Sequence, residues 1–370
     1  MARYRVPFTY IPAQFSRNRE QILAAVEKVL SEGQVILRQE VQEFEQGFAE
    51  FVGARHAVGV GSGYDSLYLS LRAIELDPGD EVITVSHTCM ATVGAIVNAG
   101  GKPILVDVRD DCNMDPDLFE AAISPRTRAV IPVHLDGAPC EMDRILAIAE
   151  AHGLTVIEDV AQAAGATFDG RRLGTMGIAG GFSLYPFKMI GAYGDAGMIT
   201  TNDDGFAAKL RALRNYGVDR ETGDYVAYGA NSRLDNLHAA ILLQLLPQLP
   251  QWVERRREIA SVYFERLGGL DGLILPTPPD DRYKPVFLNY ILRTTNNDRD
   301  AFRSHLAEQG VETLISLSRP IHTHPALGLQ HFSLPKTEEI ARSYLCLPIN
   351  PEMTDEQVEI AVSAVRSYFD

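Results

Sequence analysis

Four short apolar runs constrain the fold class more than any other feature: EVITV (81–85), PILVDV (103–108), RAVIPVHL (128–135) and LTVIEDV (154–160). Each is rich in Val and Ile and reads as a buried strand. Between them lie helical patterns closed by glycine, TCMATVGAIVNAG (88–100) and EMDRILAIAEAHG (141–153). Strand and helix taken in turn at this spacing predict an α/β fold, a parallel sheet covered on both faces by helices. GMITT (197–201) adds a further strand, and GFSLY (181–185) reads as a strand running into a turn.

A chain of 370 residues suggests two domains, or one large domain with an annex. From Arg233 to Leu267 the pattern is helical, with Pro247 and Pro250 set to kink or split it. The proline-rich PTPPDDRYKP (276–285) is a connector, and VFLNYILRT (286–294) with helices near 298–309 and 354–369 reads as a small α/β unit. The expected division is a large domain over 1–245 and a small C-terminal domain over 246–370, bridged by the helix near 233–267.

Charge and cysteine content exclude several function classes. A net charge of −15 argues against a general nucleic-acid binder, although local arginines still allow a pocket for a small anion. Cys89, Cys112, Cys140 and Cys346 form no C-x-x-C pair, so neither zinc nor a disulfide framework is expected, and a reducing cytoplasm fits. The N-terminus MARYRVPFTYIPAQF has no long apolar core of a signal peptide, and no apolar run reaches the roughly 18 residues of a membrane span.

The chemistry concentrates in SLYPFKMIGAYGDAG (183–197), where Lys188 is the single lysine among aromatic, small and glycine residues. Sheets of this class bind ligands at the carboxyl ends of their strands, and Asp159 stands at the end of LTVIED while Lys188 follows GFSLY. A lysine and a carboxylate in one strand-end crevice suit pyridoxal phosphate, which needs an amine to hold it and an acid to keep its ring nitrogen protonated. A desolvated lysine also has a lowered pKa, which frees its amine for chemistry. GSGYDS (61–66), ahead of the helix SLYLSLRAI, is a glycine-rich turn whose amides make an anion site, with Ser183 as a further donor. It is not a dinucleotide fingerprint, because the pattern read from Gly59 meets Tyr64 where glycine is required. Taken singly, such a turn is more often only a turn, a strand-end Asp a cap, and a Lys a solvated charge. Their order and spacing carry the argument.

The stretch VIEDVAQAAGATFDGRRLGTMGIAGGFSLYPFKMIGAYGDAGMITTND closely resembles the central signature of the DegT/StrS-type nucleotide-sugar aminotransferases, which are fold-type I pyridoxal phosphate enzymes. The resemblance extends over nearly the whole chain. GSGYDSLYLSL looks like the phosphate-binding turn, LRNYG and YGANSRLDNLHAAIL like the segment that crosses to a second subunit, and RPIHTHPAL and LCLPINPEMTDEQ like small-domain signatures. It implies a fold-type I aminotransferase: a large domain with a mostly parallel central sheet, plus the small C-terminal α/β domain. It further implies that Lys188 anchors the cofactor covalently, Asp159 pairs with the ring nitrogen, and Gln162 lies near the phenolic oxygen. Ser183 with the Gly63 and Tyr64 backbone would hold the phosphate, joined by Asn231 of a second subunit, so that a homodimer is the minimal active unit. Arg38, Tyr185, Arg233, Arg319 and His322 are the substrate candidates it implies, and no metal is expected.

The chain departs from the family pattern at several places. Tyr64 stands where Thr is usual, Cys89 where an aromatic stacks on the ring, Phe187 where a small residue is usual, Asp136 where an aromatic is common, and Arg38 where Gly is usual. The implied reaction moves an amino group from L-glutamate to a nucleotide-linked keto-deoxyhexose, at carbon 3 in preference to carbon 4, in a cytoplasmic enzyme. Two alternatives stand beside it. One is another pyridoxal phosphate reaction on this fold, cyclitol amination or dehydration, although dehydratase members carry His in place of the lysine. The other is a non-catalytic, cofactor-binding regulatory protein.

Overall fold

A computed structural model describes residues 4–296 and 298–369. Its strands are β1 (His56–Val60), β2 (Glu81–Val85), β3 (Lys102–Val106), β4 (Thr127–Val130), β5 (Thr155–Asp159), β6 (Thr167–Phe168), β7 (Arg171–Arg172), β8 (Ala179–Ser183), β9 (Gly197–Thr201), β10 (Leu273–Ile274), β11 (Tyr283–Lys284), β12 (Tyr290–Thr294) and β13 (Tyr344–Leu347). Its helices are α1 (Ile11–Glu32), α2 (Gln39–Val52), α3 (Gly63–Ala73), α4 (Met90–Asn98), α5 (Pro116–Ala121), α6 (Met142–His152), α7 (Asp204–Leu213), α8 (Asn236–Leu245), α9 (Leu249–Leu267), α10 (Arg299–Glu308), α11 (Pro335–Ser343) and α12 (Asp355–Phe369).

The large sheet has seven strands in the order β1-β9-β8-β5-β4-β2-β3, and only β9 runs antiparallel to its neighbours. β2 and β9 are buried at every residue, as the unbroken apolar runs predict for a sheet covered on both faces. Some expected strands end before their apolar runs do: PILVDV stops as a strand at Val106 and RAVIPVHL at Val130. Pro132 has no N–H to give the ladder. Beyond Val130, pairing continues as the single bond from the Ile131 amide to the Ile83 carbonyl and as an isolated bridge of Val133 with Asp159, made by the Asp159 amide to the Pro132 carbonyl and the His134 amide to the Asp159 carbonyl. β1 is not among the apolar runs read from the sequence, because its five residues include a glycine and open on a histidine.

The helical segment from Arg233 to Leu267 divides at its prolines. Asp235 caps α8 by accepting the His238 amide, α8 ends at Leu245, and a 3-10 turn over Leu246–Gln248 precedes α9. α9 joins two cores. Leu249, Trp252 and Val253 pack into the large core, whereas Ile259, Tyr263 and Leu267 pack with β12, β13 and α12 in the small one. Val6 lies in that small core too and pairs with Val311, so the N-terminal strap crosses from the 1–245 region into the small unit. β11, within the proline-rich connector, pairs with β6 and so fastens the connector to the large domain.

At the middle of α9, Arg256 is 1% exposed. Its guanidinium donates to the carbonyls of Phe287 (3.0 Å) and Leu288 (3.1 Å) and to that of Ile349. These carbonyls belong to the segments flanking β12 and following β13, so one side chain fixes α9 to both. Replacing it by methionine keeps the volume and leaves the carbonyls without donors. Arg256→Met is expected to lower the unfolding free energy by roughly 2–4 kcal/mol in a denaturant titration.

Candidate active site

The carboxyl ends of β5 and β8 meet the start of α3 around a cavity of about 340 Å³. Asp159, Gln162, Ser183, Tyr185, Lys188 and Cys89 line it, together with Gly63 and Tyr64. The structure therefore brings eight of the sequence candidates into one space.

Lys188 stands on the turn after β8, held by its own backbone. Its amide donates to the Tyr185 carbonyl (2.9 Å), and its carbonyl accepts from the Tyr10 hydroxyl (3.3 Å). The ammonium makes no hydrogen bond or ion pair among the described residues. Burial pushes its pKa below the ordinary value, opposed by Asp159, Cys89 and Asp136. Asp159 ends β5 and is 5% exposed. Its carboxylate accepts from the Thr92 hydroxyl (2.8 Å) and the Ala161 amide (3.1 Å), and Thr92 is steered by Thr88 at 2.8 Å. It has no cationic partner within 4.0 Å among the described residues, and burial pushes its pKa up, opposed by Thr92, Ala161, Lys188 and His134. The cavity thus holds an unpartnered amine and a buried acid without a counter-cation.

The neighbouring Glu158 points to the other face of the sheet, as alternation along a strand requires. It accepts from the amides of Gly174 (2.8 Å), Met176 (2.7 Å) and Gly177 (2.9 Å). Burial opposes its ionisation, but His134 and these amides hold its carboxyl below the usual range. One acid of the Glu-Asp pair serves the cavity and the other pins the Gly174–Gly177 loop beneath it.

At the other end of the cavity, Ser62 caps α3 by accepting the Asp65 amide (3.1 Å). The first-turn amides of Gly63 and Tyr64 have no carbonyl partner inside the helix and form an anion site. The turn is closely packed: a Cβ on Gly63 would lie 2.6 Å from the Ser183 Cβ, and one on Gly197 would overlap the Ser62 carbonyl. The Tyr64 hydroxyl is engaged by Asn98 (2.6 Å), so it does not replace the hydroxyl of the usual Thr. Ser66 donates its proton to the Gly63 carbonyl (2.6 Å), which leaves the Ser62 and Ser183 hydroxyls as donors.

The remaining candidates lie outside this lining. Arg38 and Asn231 are exposed. Arg233 donates to Asn215 (3.1 Å) and lies over the Tyr216 ring. Arg319 bonds the Thr323 carbonyl (2.9 Å) within its own loop. His322 is 2% exposed and placed by the Ser86 hydroxyl (2.8 Å) and Glu338 (3.4 Å). Thr88 and His134, which line the cavity, and Thr92, which holds Asp159, are site residues the sequence reading missed; the Thr88–Thr92 pair had a usable signal in its i, i+4 spacing at the start of a helix.

This donor set suits pyridoxal phosphate. Amides and hydroxyls at one end would hold the phosphate, the amine would hold the aldehyde, and the buried carboxylate would face a protonated ring nitrogen. Residues 16–366 match the DegT/DnrJ/EryC1/StrS aminotransferase family. The dTDP-3-amino-3,4,6-trideoxy-alpha-D-glucose transaminase of Streptomyces venezuelae is 42% identical over 98% of this chain and 96% of its own. A pleiotropic regulatory protein of Geobacillus stearothermophilus is 39% identical over 98% of each chain. Among solved structures, S. venezuelae DesV in complex with a ketimine intermediate superposes with a TM-score of 0.95 at 41% identity, covering 99% of both chains. A Bacillus subtilis protein, NtdA, with bound cofactor PMP gives 0.93 at 29% identity, covering 99% of this chain and 85% of that one.

The packing at Gly197 supplies a test that spares every polar group. Gly197→Ala must displace the Ser62–Gly63 turn, and an absorbance titration is expected to show pyridoxal phosphate affinity reduced about tenfold, with the fold retained by circular dichroism.

Proposed function

The chain belongs to the DegT/DnrJ/EryC1/StrS aminotransferase family and is a pyridoxal phosphate-dependent aminotransferase, and on that footing we propose that it moves an amino group from L-glutamate to a nucleotide-linked keto-deoxyhexose, at carbon 3 in preference to carbon 4. The observation that carries the reading is the unpartnered Lys188 amine in a cavity with the buried Asp159. The preference for carbon 3 is supported by LRNYG and RPIHTHPAL, and by the 3-amino sugar in the name of the S. venezuelae relative. A binding-only role would need neither a desolvated lysine nor a buried acid.

When bound, pyridoxal phosphate supplies an electron-accepting ring. Lys188 would hold it covalently, Asp159 would face its ring nitrogen, and Gln162 its phenolic oxygen. Ser62, Ser183 and the first-turn amides of α3 would take its phosphate. Because burial lowers the Lys188 pKa, its Nζ is neutral at a lower pH than an exposed lysine. A neutral Nζ can accept the proton from the α-carbon of the amino donor and return it to the acceptor.

A second copy of the chain is part of the proposal. Tyr225, Val226 and Tyr228 are 77%, 63% and 95% exposed on the loop just before Asn231. Such apolar exposure on one segment suits burial against another subunit, with Asn231 delivered to the partner's phosphate site.

An absorbance spectrum with pyridoxal phosphate, before and after L-glutamate, tests the donor: the spectrum should convert to that of the amine form of the cofactor, and an unchanged spectrum would rule glutamate out. Lys188→Ala should slow the conversion, and with it turnover, by about 10²–10⁴-fold. Mixing Lys188→Ala with Asn231→Ala chains should restore roughly a quarter of wild-type activity if the sites are shared across a two-fold dimer, and none if each chain works alone.

A further inference from the structure

The turn Leu135–Gly137 lies between the cavity and the small domain, and Asp136 occupies its centre in the left-handed region, φ 54°. A non-glycine residue keeps that conformation where its surroundings fix it, and Asp tolerates it better than most. The side chain is 4% exposed. Toward the small domain its carboxylate accepts from Asn289 Nδ2 (2.5 Å) and from the Tyr344 hydroxyl, which is 2.9 Å from both oxygens. With the Tyr344 proton directed to the carboxylate, the Ser316 hydroxyl at 3.1 Å donates to Tyr344 in turn. The Tyr344 ring is further set by the His87 ring, edge-on at 5.5 Å.

Toward the cavity, the Asp136 amide donates to Gln162 Oε1 at 2.8 Å. A backbone N–H can only donate, so this bond decides which end of the carboxamide is which. Oε1 faces Asp136, and Nε2, which makes no hydrogen bond among the described residues, keeps both protons for the cavity that Gln162 lines.

We propose that Asp136 is a positioning residue of the active site: it ties Asn289 and Tyr344 of the small domain to Gln162 and thereby holds the Gln162 carboxamide with its N–H groups toward the bound cofactor. The proposal rests on the cofactor reading above. An aromatic, common at this position in the family the sequence resembles, has no acceptor for Asn289 and Tyr344 together. Burial pushes the Asp136 carboxyl up to about 6, with Asn289, Tyr344 and Lys188 opposing. Besides Lys188, the ionisable groups set against it are Tyr344, Cys112 and Cys346. At neutral pH it is an ionised acceptor for both small-domain donors.

A double-mutant cycle on the full chain tests this, read as the pyridoxal phosphate dissociation constant from absorbance titration. Asp136→Ala should weaken binding about tenfold in the wild-type background but less than about twofold in Gln162→Ala, because its effect passes through that carboxamide. Asp136→Asn tolerates the backbone conformation and still accepts from Tyr344, so it should bind within about twofold of wild type. Equal losses in both backgrounds, or no loss in either, would overturn the proposal. Should Asp136→Ala not fold, Tyr344→Phe is read in the same two backgrounds by the same criteria. A wild-type chain that does not bind pyridoxal phosphate would overturn the cofactor reading itself, and this proposal with it.

Discussion

Two groups in one cavity, the Lys188 amine with no hydrogen-bond partner among the described residues and the buried Asp159 carboxylate with two neutral donors but no counter-cation, define what the rest of the structure is arranged to do. An uncompensated charge out of water costs free energy, and a fold ordinarily pairs it or protonates it away. Here both groups stand at strand ends in one cavity, each with its pKa shifted toward the neutral form by burial. That arrangement is destabilising for the free chain and complementary to a ligand with a reactive aldehyde, a basic ring nitrogen and a phosphate. The sheet supplies the geometry: parallel β5 and β8 end side by side, with Asp159 opposite Gly181 in their register. The start of α3 comes close enough to Ser183 that only glycine fits between.

The cavity is lined by residues between Ser62 and Ala196, and the small domain reaches it through Asp136, whose amide donates to the lining residue Gln162. α9 is common to both cores, Arg256 fastens it to the backbone around β12 and β13, and Val6 carries the N-terminal strap into the small core. The hydrogen bonds from Asn289 and Tyr344 to Asp136 run along the same boundary and end one residue contact from the cavity.

Much of this was legible in the sequence, for physical reasons that differ by residue. The strand runs were readable because both faces of the sheet are covered, which leaves unbroken Val and Ile. Pro247 marked the division of α8 from α9 because a missing N–H cannot be hidden. Lys188 and Asp159 stood out as rare ionisable residues in apolar surroundings at strand ends. What motif position does not give is side-chain direction. His322 and Arg319 sit in a loop read as facing substrate, yet their polar atoms are taken by Ser86, Glu338 and Thr323. Glu158 was invisible beside Asp159 because alternation sends it to the opposite face. Asp136 was visible as a departure, but its partners Asn289 and Tyr344 are more than 150 residues away along the chain.

The most direct measurement is to add pyridoxal phosphate to the purified protein, reduce with borohydride, digest, and locate the cofactor-labelled peptide by mass. A single label per chain on Lys188 is the predicted result. A label spread over surface lysines, or none on Lys188, would contradict the assignment of this cavity as the cofactor site.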